Sequence, residues 1–299
     1  MQNLPEQQKY DPWEVKQEIA DIKIEIHCSR YWMLSEWECE NLSLPFWRIY
    51  HSRLGGSFVS FKGHEVELAG NSLVLIPPHT AFSSHINAKN LKSESIKGVK
   101  ITNEEQIEQY RKSGLTDQFF VHFHLDYLFN KIKREIYEIE LTDYWIQELK
   151  QIEQDRLKNQ NSINFQSNIK IIGLIIYALQ NLPGAVWETN TIDNRILKVI
   201  KYIEANLSTE LTNTYLSTIV NLATNSFARL FRESMNCSVQ QYIQKKRIDA
   251  AIVYLHYSDI EIDDIASKCG YYDRAHFSKT FKNVTGVAPV SYRKKVRGY

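Results

Sequence analysis

The chain has 299 residues, 36 Lys plus Arg against 35 Asp plus Glu, and 43% hydrophobic residues. That length carries two domains with sizeable cores, and the ordinary apolar content excludes a disordered or fibrous chain. The near-neutral total hides an asymmetry. From Asn190 onward there are 16 basic and 10 acidic residues, so the last third is basic and the remainder is acidic. A basic segment suits phosphate binding, and the acidic part does not.

Residues 1–20 are polar and acidic with no signal-peptide core, and form an expected N-terminal arm. The longest apolar run, residues 171–179, falls far short of a membrane span. Cys28, Cys39, Cys237 and Cys269 are scattered, without CxxC or zinc spacing. That pattern fits free thiols in a reducing cytoplasm.

Residues 21–135 are expected to be rich in strands. Short apolar runs at 47–52, 57–61 and 73–76 are divided by Gly55-Gly56, Gly70-Asn71 and Pro77-Pro78. A further run at 119–125 alternates around His122 and His124. Short strands with such turn signals predict a small barrel or sandwich. Trp32, Trp37, Phe46, Trp47, Tyr50, Phe58, Phe61 and Phe82 crowd this segment. They form either a normal β core or the lining of an apolar ligand cavity. In the second case Trp32, Trp47, Arg48, His51, Arg53 and Phe82 are the candidate ligand-binding residues.

His122 and His124 share a strand face, and His64, His79 and His85 lie elsewhere. Two histidines without a third placed ligand do not make a metal site, so neither metal nor cofactor is expected. No Ser-His-Asp signature, phosphate loop or telling pair of acids is present, and catalysis is not expected.

Residues 136–182 are expected to hold two helices, at about 141–157 and 165–182. Ile169, Ile172, Ile176 and Leu179 would face the barrel, leaving Ile171, Ile175 and Leu182 for another partner. The segment is either a dimerisation element or a buried core helix. Pro183 and Gly184 break the pattern and open a linker at 183–192.

A helix from 193 to 206, capped by Asp193, begins the last domain, 193–299, with Ile196, Val199, Ile200 and Ile203 inward. Near its end, Ile262, Ile265 and Ala266 mark a short helix, and Gly270 suits its positive-φ stop. Asp273 caps a second helix with Phe277, Thr280 and Phe281 inward and Arg274, Ser278, Lys279 and Lys282 outward. Gly286 closes it and Pro289 opens another. This is a helix-turn-helix, whose second helix can enter the DNA major groove.

The same unit recurs about fifty residues upstream. Phe227, Arg229 and Phe231 overlay Phe277, Lys279 and Phe281, and Asn236 overlays Gly286. Its candidate DNA-contacting residues are Thr224, Asn225, Ala228, Arg229 and Arg232. Ala223 stands at the cap position, so Thr224 or Asn225 is expected to take over the cap. Between the copies, Val239, Tyr242, Ile243, Ile248, Ala251, Ile252 and Leu255 recur at helical spacing on one long helix. Lys245, Lys246 and Arg247 form a basic run on it, either a solvated face or phosphate contacts.

The pattern I-A, Gly-aromatic, F-x-K-x-F-K, G-x-x-P and Y-R from Ile265 to Arg293 resembles the second helix-turn-helix of AraC-type transcription regulators. The upstream copy departs from that pattern at Ser217, Asn221 and Ala223. The resemblance implies a two-domain α+β chain: a cupin-like β-barrel that senses a small molecule, then helices, then an all-α domain with two helix-turn-helix motifs. The segment 70–79 looks like the tail of a degenerate cupin motif. Also implied are double-stranded DNA, RNA polymerase and a second copy of the chain as partners, a small-molecule effector, activation as the default, and no membrane. A barrel that only dimerises or binds protein partners is the alternative, and a cupin-type metalloenzyme fused to a DNA-binding domain is the remote one.

Overall fold

The structure is a computed structural model that describes residues 22–86, 95–125, 132–159, 162, 164–187 and 192–297. The expected arm at 1–20 lies outside them. The first domain is a nearly closed antiparallel barrel of nine strands. These are β1 (Ile24–Leu42), β2 (Trp47–His51), β3 (Ser57–Phe61), β4 (His64–Glu67), β5 (Ser72–Ile76), β6 (Phe82–Ile86), β7 (Ser95–Val99), β8 (Thr116–Leu125) and β9 (Tyr137–Glu140). The order is β4-β3-β6-β1-β8-β2-β5-β9, with β7 also on β1. Nineteen-residue β1 serves three neighbours because register shifts at Ile26/Cys28, Leu34/Glu36 and Cys39/Leu42 bend it around.

Strand alternation divides the side chains into two cores. Tyr31, Met33, Trp47, Ile49, Phe119, Val121 and Phe123 face outward from the barrel onto a helical layer. Leu34, Trp37, Tyr50, Val59, Val74, Ile76 and Phe82 fill the interior. The helical layer comprises α1 (Glu104–Lys112), α2 (Asp143–Lys158) and α3 (Phe165–Gln180). The sheet takes in β9, beyond the expected barrel edge at residue 135, because Tyr137–Glu140 pairs with β5.

The expected facing of α3 is corrected. Ile171, Leu174, Ile175 and Ala178 are buried, with Ser167, while Ile169 and Ile176 are exposed. The two apolar faces compete closely in sequence. Packing against α2 and the outer barrel core selects the one with small Ala178, and leaves Phe165, Ile169 and Ile176 outside.

The last domain contains α4 (Asn194–Ala205), α5 (Asn213–Ile219), α6 (Thr224–Met235), α7 (Val239–Tyr257), α8 (Ile262–Lys268), α9 (Arg274–Thr285) and α10 (Pro289–Arg297). It has two cores. The first joins α4, α5 and α6 to the start of α7, around Ile200, Phe227, Phe231 and Tyr242. The second joins the end of α7 to α8 and α9, around Leu255, Ile265, Phe277 and Phe281. Leu44 and Phe46, from the β1–β2 loop of the barrel, are buried in this second core.

Candidate nucleic-acid interface

In the second helix-turn-helix, α8 ends at a turn where Gly270 has φ +75. A Cβ there would lie 2.2 Å from the Leu207 carbonyl oxygen, so no other residue fits without movement. The Asp273 carboxylate then accepts the His276 backbone N–H at 2.7 Å and starts α9. Phe277, Thr280 and Phe281 are buried beneath. On the outer side Arg274, Lys279 and Lys282 are exposed and Ser278 is half-buried, the face expected from sequence. Arg274 Nη1 donates to Asp263 Oδ2 at 3.0 Å, a partner across the turn that sequence reading missed.

The first unit repeats the plan with different chemistry. Asn221 supplies the positive φ, +53, where the second unit uses Gly270. Ala223 sits at the cap of α6 with no side-chain bond to the helix. The expected takeover by Thr224 or Asn225 does not occur, because α6 already begins at Thr224, whose hydroxyl lies 3.4 Å from that of Ser217. Asn225, Arg229 and Arg232 are exposed, and Thr224 and Ala228 are half-buried. Arg229 Nε is 3.9 Å from Glu233 on the same helix. The two units close alike, on Asn236 (φ +55) and Gly286 (φ +82).

The 19 residues of α7 span about 28 Å at 1.5 Å each, near one turn of DNA. A Ser238–Gln241 capping box fixes its start. Its basic run is partly engaged within the protein. Lys246 pairs with Glu204 at 2.5 Å, and Arg247 donates to the carbonyls of Leu207 (3.1 Å) and Thr209 (2.8 Å). Lys245 is exposed. Two exposed side chains at the start of α9 escaped sequence reading: Tyr272, fully exposed, and His276. The signal that marks them is position, His276 in the first turn and Tyr272 just before the cap, since recognition helices present their N-terminal ends to base edges.

The six candidate ligand residues divide between two faces of the barrel. Arg48 is fully buried inside, with its guanidinium 4.6 Å from the Phe82 ring centroid, and Trp32 borders the same core. The Arg48 Nε and Nη1 have no hydrogen-bond partner. Trp47 lies on the outer face, stacked on Phe123. His51 and Arg53 join a buried polar network there: His51 meets the Ser72 carbonyl at 2.9 Å, and Arg53 reaches Glu153 at 3.0 Å and the Tyr31 hydroxyl at 2.7 Å. Burial pushes the Glu153 carboxyl up despite Arg53. None of the six lines the cleft of about 1570 Å³ that runs between the barrel and the helical domain. Its lining includes Lys23, Lys133, Arg134, Lys201, Lys245 and Lys268, so cations outnumber Glu25, Glu204 and Asp249.

Beside the cleft, the barrel meets α7 through histidines. His27, His122, His124 and His256 surround Phe46, with ring centroids 5.1 to 6.3 Å from it. Among the described residues, no group of three or more His, Cys, Asp or Glu is arranged to hold a metal ion.

Residues 216–295 match the family model described as a helix-turn-helix domain. The matched stretch is a helix-turn-helix domain of the AraC type. An HTH-type transcriptional regulator of Staphylococcus aureus is 30% identical over 125 residues, which is 41% of this chain and 17% of that protein. The regulator GbdR of Pseudomonas aeruginosa is 30% identical over 95 residues, 32% of this chain and 26% of GbdR. The chain thus spans about a sixth to a quarter of these relatives' lengths. For the two-domain fold, ToxT from Vibrio cholerae, solved with (E)-4-(8-methylnaphthalen-1-yl)but-3-enoic acid, superposes with a TM-score of 0.50. The match is 13% identical and covers 91% of this chain and 99% of ToxT. No described helix is long and apolar enough to cross a membrane.

Proposed function

We propose that this chain is a sequence-specific, DNA-binding transcription regulator that places two recognition helices in adjacent major-groove segments. The observation that carries this reading is the pair of helix-turn-helix units on one 19-residue helix, each with its phenylalanines inward and a basic face outward. Arg274 and Lys279, with Arg229, suit guanine O6 and N7, and Asn225 suits adenine. Arg232 and Lys282, farther along their helices, suit phosphates. Selection of bound sequences from random DNA by the full chain tests it. The expected product is a site with two blocks about 10 base pairs apart; no enrichment would refute it.

The regulatory half of the proposal is that a small anionic molecule taken up between the barrel and the helical domain biases DNA binding. The cation-rich cleft supports an anion, and ToxT supplies a precedent for an organic acid on this fold. Arg48, buried with two unpaired nitrogens, supports the barrel interior as the alternative seat. Thermal stabilisation of the full chain by small organic acids, lost on changing Lys201 and Lys245 to Ala, favours the cleft; loss on changing Arg48 favours the interior. Dimerisation through the outer face of α3 and activation through RNA polymerase complete the proposal. The exposed apolar residues Phe165, Ile169 and Ile176 support the first, and the family resemblance the second.

A further inference from the structure

Five of the nine histidines gather where the barrel docks on the helical domain. Three come from the barrel wall, His27 on β1 and His122 and His124 on β8; His256 comes from the end of α7. The His27 ring stacks on Tyr257 of α7, 5.6 Å between centroids and 15° from parallel. Its Nε2 meets His124 Nδ1. His124 Nε2 donates to the Pro45 carbonyl at 2.9 Å. His122 Nδ1 meets the Tyr257 hydroxyl, and its Nε2 is buried without a partner. His256 Nε2 lies 3.1 Å from the Tyr292 hydroxyl of α10. Contacts of this kind use neutral rings: the His27–His124 contact needs one nitrogen to accept, and two imidazolium rings would repel.

The charges around the cluster are mostly positive. On the barrel side stand Arg30 and Glu25 of β1 and Arg48 of β2; on the helical side stand Lys246 and Asp249 of α7 and Arg297 of α10. Tyr50, Tyr257, Tyr292 and the Cys28 thiol complete the surroundings. Glu25 and Asp249 are the opposing carboxylates facing His27 and His124. The fifth histidine acts in the other sense: His79 Nε2 lies 3.4 Å from Asp249 Oδ2, so a proton there adds attraction.

We propose that this histidine cluster is a proton-sensitive latch, which holds the barrel against α7 and the second helix-turn-helix when neutral and releases them when protonated. Burial, followed by neighbouring cations, holds His124 and His256 down to about 3, and His122 well below its ordinary value; burial likewise lowers His27. These groups take up protons more readily undocked than docked. Docking is therefore at full strength above the free histidine value of about 6.5, and weakens as pH falls from there toward the docked values. Between pH 7.5 and 5.5 each histidine that regains its free value weakens docking by up to about ten-fold. Opening frees the end of α7 that carries the second recognition unit. The latch requires neither an effector nor DNA, and stands apart from both.

The buried Cys28 thiol beside Tyr257 reports opening. The experiment is labelling of the full chain by 4,4′-dithiodipyridine, with modified cysteines identified by mass spectrometry and rates divided by those of a small model thiol at the same pH. The expected result is a normalised Cys28 rate that rises from pH 7.5 to 5.5, by more than the ten-fold one histidine allows, while Cys39, buried in the barrel interior, does not follow. His27→Gln and His124→Gln should each remove up to about ten-fold of the rise, and together more than either alone. Single variants suffice if the double variant does not fold. A flat Cys28 profile overturns the latch, as does a rise shared equally by Cys39 or one unchanged in the variants.

Discussion

Arg274 leaves the first turn of α9 and meets Asp263 3.0 Å away, with both side chains more than half exposed. An exposed pair of this kind is worth little in stability, so the guanidinium is held in place yet free to turn to a base edge. Arg274→Ala should cost about 1–3 kcal/mol on a selected site and relax preference at one base position. Binding curves on selected and random DNA across a salt series check this; equal loss on both would make Arg274 a phosphate contact. Phe281, fully buried between Phe277 and Tyr292, has a different task. Phe281→Ala should lower stability by about 3–5 kcal/mol in chemical denaturation, with DNA binding failing only as a consequence. A variant that melts like wild type but does not bind would contradict that assignment.

Among the elements, α6 and α9 differ most at their starts. Asp273 caps α9, while Ala223 leaves the first turn of α6 without a side-chain acceptor. Ala223→Ser should stabilise the protein by about 1 kcal/mol, read as a shift in the denaturation midpoint. This part of the molecule was legible in sequence because its helices carry a 3.6-residue period, bounded by Asp193, Gly270, Asp273 and Gly286. All seven apolar positions expected on α7 are buried. What was not legible has physical reasons. Helix α1 is polar, buries only Ile107, and starts on the Asn103 side chain, so it lacks an apolar stripe to read. The bends in β1 come from register shifts that no alternation pattern announces. On α3 both faces are apolar, and tertiary packing alone chose between them. The candidate ligand set mixed Arg48 with Trp47 and His51 because adjacent strand residues point to opposite faces.

At the scale of the whole molecule, the uncovered stripe on α3 carries the assembly prediction. Phe165, Ile169 and Ile176 are exposed at spacings of four and seven, and Tyr144 on α2 is exposed as well. Ile176→Glu should turn a dimer into monomers in sedimentation while leaving the melting temperature nearly unchanged. Ile175→Glu, which puts charge into the barrel–helix core, should instead destabilise the fold. A wild-type chain that sediments as a monomer at micromolar concentration would remove the stripe from the account.

Leu44 and Phe46 make the boundary drawn along the chain different from the boundary drawn through its interior. Among the described residues, the buried side chains under the first recognition helix all come from Ile196 onward, with Ile192 packed against them, whereas the core under the second is completed by these two residues of the barrel. A fragment starting at residue 193 would therefore be lopsided: one half self-sufficient, the other with an apolar socket open to water. Its second half should loosen first on heating, and a Leu44-to-Phe46 peptide loop added back in trans has too little surface to refill the socket on its own. Excising the barrel is thus not a neutral trim of this protein; it removes part of the foundation on which the second helix-turn-helix stands.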